Sequence, residues 1–210
     1  MGIKLSNKKP EIRYLDKIRS LLCDKKWAKT APNLKLYYVY REIKRKGDLR
    51  YDITVIPARM LGKEFVKTKG NRNSNGYQEL YTVSEGEAIF LMQKVQGEIV
   101  KDVFAIEAKR GDWTIIPPNY AVVMINSGKR KLITSNWVSE KTKNIYEEIE
   151  KTKGACYFYT KSGWVKNKNY KKVPKLHFEK PLEKMPRNLD FLKCGRGGTG
   201  IRLGLRSQGV

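Results

Sequence analysis

The chain is almost without histidine. His177 is the one imidazole among 210 residues, which excludes a transition-metal site built on two or three histidines. Cysteine is scarce as well. Cys23, Cys156 and Cys194 are odd in number, scattered and form no Cys-x-x-Cys pair, so a reduced, cytoplasmic setting is expected rather than a disulfide framework. No apolar run approaches the ~18 residues of a membrane span, and the first 20 residues carry charge throughout where a secretory leader would be apolar. Met1-Gly2 followed by Ser6 has the form of an acylation signal, a short pattern that does not change the expectation of no membrane partner. Acidic residues are few: 21 against 44 basic ones, for a net charge of +23. Such an excess draws anions at long range, which points to nucleic acid, an acidic surface or a phosphorylated metabolite. Lysines are spread along the chain with no block or arginine-rich helix, so nucleic acid is the less favoured partner.

What the chain does have is enough apolar content, 40%, for one packed domain with additions. Residues 11–23 place Ile12, Leu15, Ile18, Leu21 and Leu22 at helical spacing and predict a short amphipathic helix. Pro32-Asn33 breaks the chain. Residues 34–43 and 51–56 read as strands. Further short strands are expected over 78–83, 88–93, 103–108, 113–116, 121–126 and 132–138, punctuated by Gly86, Gly97, Gly111 and Ser127-Gly128. This number of short strands with regular turns predicts an all-β sandwich or barrel. Residues 144–153 look helical, and 155–160 with Trp164-Val165 form a last hairpin. The expected organisation is an N-terminal helical segment over 1–33, a barrel domain over 34–173 and a C-terminal extension over 174–210. Pro174, Pro181 and Pro186 space out that extension without a clear period, and its glycine-rich end has little to bury, so it is expected to be poorly ordered. The phrase from Gly195 to Arg202 resembles translation running on into a transfer-RNA gene; an Arg/Gly-rich RNA-binding tail is the other reading.

Two stretches carry a resemblance. Gly70 to Gly86 reads Gly-Asn-Arg-Asn-Ser-Asn-Gly-Tyr-Gln-Glu-Leu-Tyr-Thr-Val-Ser-Glu-Gly, and Gly111 to Asn126 reads Gly-Asp-Trp-Thr-Ile-Ile-Pro-Pro-Asn-Tyr-Ala-Val-Val-Met-Ile-Asn. They resemble the two motifs of the cupin superfamily, a His-x-His, Glu, Gly pattern and a Gly, Pro, His, Asn pattern. The glycines, the proline, Glu79 and Asn126 stand at the family spacing, while the three histidine positions hold Asn71, Asn73 and Val122. Gly62-Lys63-Glu64-Phe65, Thr68-Lys69-Gly70, Glu79-Leu80-Tyr81 and Pro117-Pro118 are similar to the archaeal-type, cupin-fold glucose-6-phosphate isomerases. The likeness covers roughly residues 37–149. It implies a cupin-type β-barrel of jelly-roll topology, interconversion of glucose 6-phosphate and fructose 6-phosphate, and a homodimer.

The same resemblance assigns the candidate site. Thr54, Thr68 and Gly70 match the family's phosphate cradle, with Lys69 beside it, Tyr146 and either Tyr37 or Tyr38 as further members, and Asn144 where the family has a histidine. Glu79 matches the family's proposed base and Tyr81 lies two residues on, on the same face of a strand. With Asn71, Asn73 and Val122 at the ligand positions, neither a bound metal nor any other cofactor is expected. Lys69, Arg72 or the asparagine amides are left to carry the electrophilic role, unless Arg72 pairs with Glu79. The expectation is therefore a sugar-phosphate-binding relative with isomerase activity reduced or absent. A metal-free isomerase using Glu79 as base and a basic nucleic-acid-binding protein are the alternatives.

Overall fold

A computed structural model describes residues 8–195. In chain order its strands are β1 (Glu11–Tyr14), β2 (Lys35–Lys46), β3 (Leu49–Ile56), β4 (Met60–Leu61), β5 (Glu64–Phe65), β6 (Asn71–Asn73), β7 (Glu79–Glu85), β8 (Glu87–Gln96), β9 (Ile99–Lys109), β10 (Trp113–Ile116), β11 (Ala121–Ile125), β12 (Leu132–Ser139), β13 (Asn144–Ile145), β14 (Tyr157–Thr160), β15 (Gly163–Lys166) and β16 (His177–Glu179). Two short helices, α1 (Lys25–Thr30) and α2 (Glu147–Lys151), complete them. The first sheet runs β1-β2-β3-β12-β7-β10 and the second β13-β6-β11-β8-β9-β16, with a small third sheet β15-β14-β5-β4. The two six-stranded sheets face one another. Val39, Ile56 and Val83 from the first share one core with Phe90, Met92, Val122 and Met124 from the second. The expected all-β, cupin-type barrel is the architecture observed.

The helix expected over 11–23 does not form. Residues 11–14 are instead the edge strand β1, with Arg13 opposite Tyr37 of β2. Two 3-10 turns follow at Leu15–Lys17 and Arg19–Leu21. Leu15, Ile18, Leu21 and Leu22 are all buried, so the apolar spacing is real, but tight turns satisfy it. The sheet edge wins because it pairs the β1 backbone. The short N-terminal helix is α1, further along, where the Asp24 carboxylate accepts a bond from the Trp27 amide at 3.1 Å and caps the first turn. A buried ion pair, Lys67 Nζ to Glu64 Oε2 at 2.6 Å, ties this segment to the barrel. Lys67 also donates to the Leu21 carbonyl at 3.1 Å, and Glu64 Oε1 accepts from the Cys23 amide at 2.6 Å.

The C-terminal extension also departs from expectation. Through the described residues it lies ordered on the barrel. β16 pairs in parallel with β9, and Trp113 and Leu182 exchange backbone hydrogen bonds, both 2.8 Å. Leu189, Phe191 and Leu192 then bury themselves against Leu49, Leu80 and Ile115. Strand alternation explains this: Leu49 and Leu80 point out of the barrel, and their apolar face needs a cover. The acylation pattern at residues 1–6 and the tail beyond Gly195 lie outside the described residues.

Candidate functional site

Alternation along the first sheet sends one set of side chains inward. These are Tyr37, Val39 and Arg41 from β2, Arg50, Asp52 and Thr54 from β3, Glu79 and Tyr81 from β7, and Asn136 from β12. The register aligns them in rows: Asp52, Asn136 and Tyr81 lie side by side, as do Arg50, Val138 and Glu79. The second sheet closes the space with Asn71, Phe90, Val122 and Met124. The result is a cavity open to solvent at its mouth. Most candidate site residues named from the sequence line it; Tyr38 and Arg72 do not, nor does Asn73, which is buried beside Glu79.

At one end stand Thr54, Thr68, Lys69, Gly70 and Tyr146, together with Tyr37 rather than Tyr38. The Tyr37 hydroxyl accepts a bond from the Lys69 amide at 3.1 Å, and burial pushes its pKa up to about 12, so it stays a neutral hydroxyl. The Thr68 hydroxyl accepts from the Met124 amide at 3.0 Å, which fixes this loop to β11. Gly70 has φ +83, and a Cβ there would come within 2.5 Å of Val123 Cγ2 and 2.7 Å of Ile149 Cδ1. Its glycine is required by packing and conformation. The Lys69 ammonium is paired with Glu150 at 2.5 Å and lies 4.5 Å from the centre of the Tyr146 ring, so its charge is largely answered within the protein.

At the other end Glu79 is buried at 4% exposure. It accepts from Asn136 Nδ2 at 3.3 Å, and Tyr81 and Asn73 lie beside it. Burial pushes its carboxyl above the ordinary carboxylate range, although the polar groups of Tyr81 and Asn73 pull the other way. Burial and the adjoining carboxylate hold the Tyr81 phenol well above its usual value. Arg72 does not pair with Glu79; its guanidinium is bound to Glu148 at 2.8 Å. Neither Lys69 nor Arg72 is thus a free cation.

The donors at positions 71, 73, 79 and 122 do not fit a transition metal. Val122 stands directly across from Asn71 on neighbouring strands and offers no lone pair. Asn73 donates to the Tyr77 carbonyl at 3.2 Å, while its Oδ1 is buried without a partner. One carboxylate and two neutral amides make a poor set for such an ion. Among the described residues no group of three or more His, Cys, Asp or Glu side chains is arranged to hold a metal.

The sequence reading missed the arginines. Arg13, Arg41 and Arg50 line the cavity, and Asp52, 2% exposed, binds two of them: Arg41 Nη1 and Arg50 Nε both donate to its Oδ2 at 3.1 Å. The available signal was Arg50, Asp52 and Thr54 alternating on one strand. A charged residue at an inward strand position is rarely accidental.

Comparison with known proteins places these residues in context. A family model described as Glucose-6-phosphate isomerase (GPI) matches residues 26–175. The glucose-6-phosphate isomerase of Thermococcus litoralis is 28% identical over 135 residues, covering 61% of this chain and 69% of that one. Its counterpart from Pyrococcus abyssi (strain GE5 / Orsay) is 28% identical over 128 residues, covering 58% and 66%. The chain thus spans about two thirds of the length of these relatives. Among solved structures, an oxalate oxidase in complex with the substrate analogue glycolate overlaps 56% of this chain and 57% of that one, with a TM-score of 0.42 and 12% identity, too distant to argue from.

Proposed function

The chain belongs to the glucose-6-phosphate isomerase family, and on that premise we propose that it binds phosphorylated sugars in the mouth of its barrel, with the family's isomerase activity reduced or absent. The observation that carries this reading is the split within one cavity. Thr54, Thr68 and Gly70, which by the family resemblance correspond to phosphate-side positions, line it together with Asn71 and Val122, which with the adjoining Asn73 stand at the positions that resemblance gives to ligand histidines. A metal in such a site would hold the negative charge that develops on the sugar oxygens, and this donor set is unsuited to one. A reduced, cytoplasmic setting agrees with three free cysteines, and the proposal includes a homodimer. Among the described residues no helix is long and apolar enough to cross a membrane.

A second reading, a metal-free isomerase, is favoured by the burial of Glu79 and the proximity of Tyr81. In it the Glu79 carboxylate takes the proton from the carbon beside the sugar carbonyl and returns it to the neighbouring carbon. Tyr81 donates a hydrogen bond to the oxygen that gains charge, and the hydroxyl proton passes from the neighbouring sugar oxygen to it, so that the former hydroxyl carbon becomes the carbonyl. The raised pKa makes Glu79 a stronger base once ionised than an exposed glutamate.

The test is thermal melting with fructose 6-phosphate and with free fructose. The phosphorylated sugar is expected to raise the melting temperature more, and Thr54→Val to remove most of the difference. Thr54 suits this better than Thr68, whose hydroxyl also supports β11. Equal responses to the two sugars would contradict the proposal.

A further inference from the structure

The cavity has a second cationic station. On β3, Asp52 and Arg50 lie two and four residues from Thr54, about 7 and 13 Å along the strand at ~3.3 Å per residue. The length of an extended hexose phosphate falls between these two distances. Asp52 aligns the two guanidinium groups of Arg41 and Arg50 and neutralises one of them. Its other oxygen accepts the Glu42 amide at 2.8 Å. Glu42 has φ 55 and sits in a bulge of β2, where the register with β3 shifts between Tyr40 and Lys44. Alternation sends Arg41 inward, and Asp52, bonded also to the amide of the bulged Glu42, holds it there.

Arg50 has donors to spare. Its side chain is 14% exposed and its Nε is given to Asp52. Its two terminal nitrogens make no hydrogen bond to the protein among the described residues. A guanidinium carries five N–H donors in a planar fork that matches a carboxylate. Behind the pair opens a second depression, which shares Arg41, Arg50 and Asn144 with the main cavity and adds Lys143 and Thr142. Thr142 is 5% exposed and its buried hydroxyl has no partner. The Glu42 carboxylate on that rim is committed to Arg45 at 2.9 Å.

We propose that Arg50, aligned with Arg41 by Asp52, binds a carboxylate at the end of the ligand opposite its phosphate, so that the cavity selects phosphorylated sugar acids over neutral sugar phosphates. This rests on Thr54, Thr68 and Gly70 being the phosphate end. The contacts Arg13–Glu11–Arg41–Asp52–Arg50 join three guanidinium groups to two carboxylates, leaving one net positive charge, which matches a single carboxylate better than a second phosphate dianion.

Calorimetric titration with 6-phosphogluconate, glucose 6-phosphate and fructose 1,6-bisphosphate tests it. The wild type is expected to bind 6-phosphogluconate at least ~10-fold more tightly than glucose 6-phosphate, the scale of one charge-assisted hydrogen-bonded pair. Arg50→Gln is expected to erase that advantage and leave glucose 6-phosphate binding within ~2-fold, while Arg50→Lys recovers part of it, because lysine keeps the charge without the fork. Should Arg50→Gln fail to fold, Arg41→Gln, at 37% side-chain exposure, is expected to reduce the same advantage. Equal binding of the two hexose ligands by the wild type, or equal weakening of both by Arg50→Gln, would overturn the proposal while leaving the phosphate end intact. Tighter binding of the bisphosphate than of 6-phosphogluconate would overturn the assignment to a carboxylate. If neither phosphorylated hexose binds, the phosphate reading and this proposal fall together.

Discussion

Asn136 Nδ2 reaches Glu79 Oε2 at 3.3 Å, from the strand that separates Glu79 from Asp52. Burial is the largest influence on the Glu79 carboxyl and raises its pKa. Glu79 binds its proton more tightly in the folded protein than in the unfolded chain. Its contribution to stability is therefore fully present below the ordinary glutamate value of 4.5 and lost as pH rises through the folded value. Glu79→Gln removes that loss. Melting curves of the variant and the wild type are expected to diverge in favour of the variant as pH rises from about 4.5 towards neutrality. A constant offset across that range would show that Glu79 ionises as freely folded as unfolded. In the metal-free isomerase reading the same variant lowers any measured rate by ~10²–10⁴-fold.

The C-terminal segment is expected to contribute substantially to stability. Leu192 is fully buried and Phe191 and Leu189 are nearly so, over the outward face that carries Leu49 and Leu80. Leu192→Ala should cost ~2–5 kcal/mol, which for a chain of this size lowers the melting temperature by about 5–15 °C. Truncation after Met185 should cost more. A truncated protein that melts like the full chain would contradict the packing described.

Much of the barrel was legible because alternating β-branched and aromatic residues between glycines leave little else to build. The strand 113–116 was placed to the residue. The N-terminal segment was misread because apolar residues three apart fit 3-10 turns as well as a helix, and only the unpaired edge of β2 decides between them. The docking of Leu189, Phe191 and Leu192 has no period to find, since irregular chain follows the surface it covers. In the site, strand alternation together with the family motifs brought most of the named residues into one cavity. The partners of Lys69 and Arg72 were not legible, because Glu150 and Glu148 lie more than seventy residues away in sequence.

On the proposed reading, in which Asn71, Asn73 and Val122 stand where the family has ligand histidines, the facing of Asn71 and Val122 across β6 and β11 makes a metal site there constructible. Asn71→His, Asn73→His and Val122→His together should create a site for a divalent ion with Glu79 as fourth ligand. Metal binding by calorimetry, abolished when Glu79→Ala is added, is the expected result. A folded triple variant that binds no ion would mean that the Cβ positions no longer converge.

Calorimetric titration of fructose 6-phosphate into the protein, repeated after exhaustive chelation, addresses most directly whether phosphate recognition here is independent of metal. Binding that prefers the phosphorylated sugar, is weakened by Thr54→Val and is unchanged by the chelator is the expected result. Loss of binding on chelation, with recovery on adding one equivalent of a divalent metal, would contradict it.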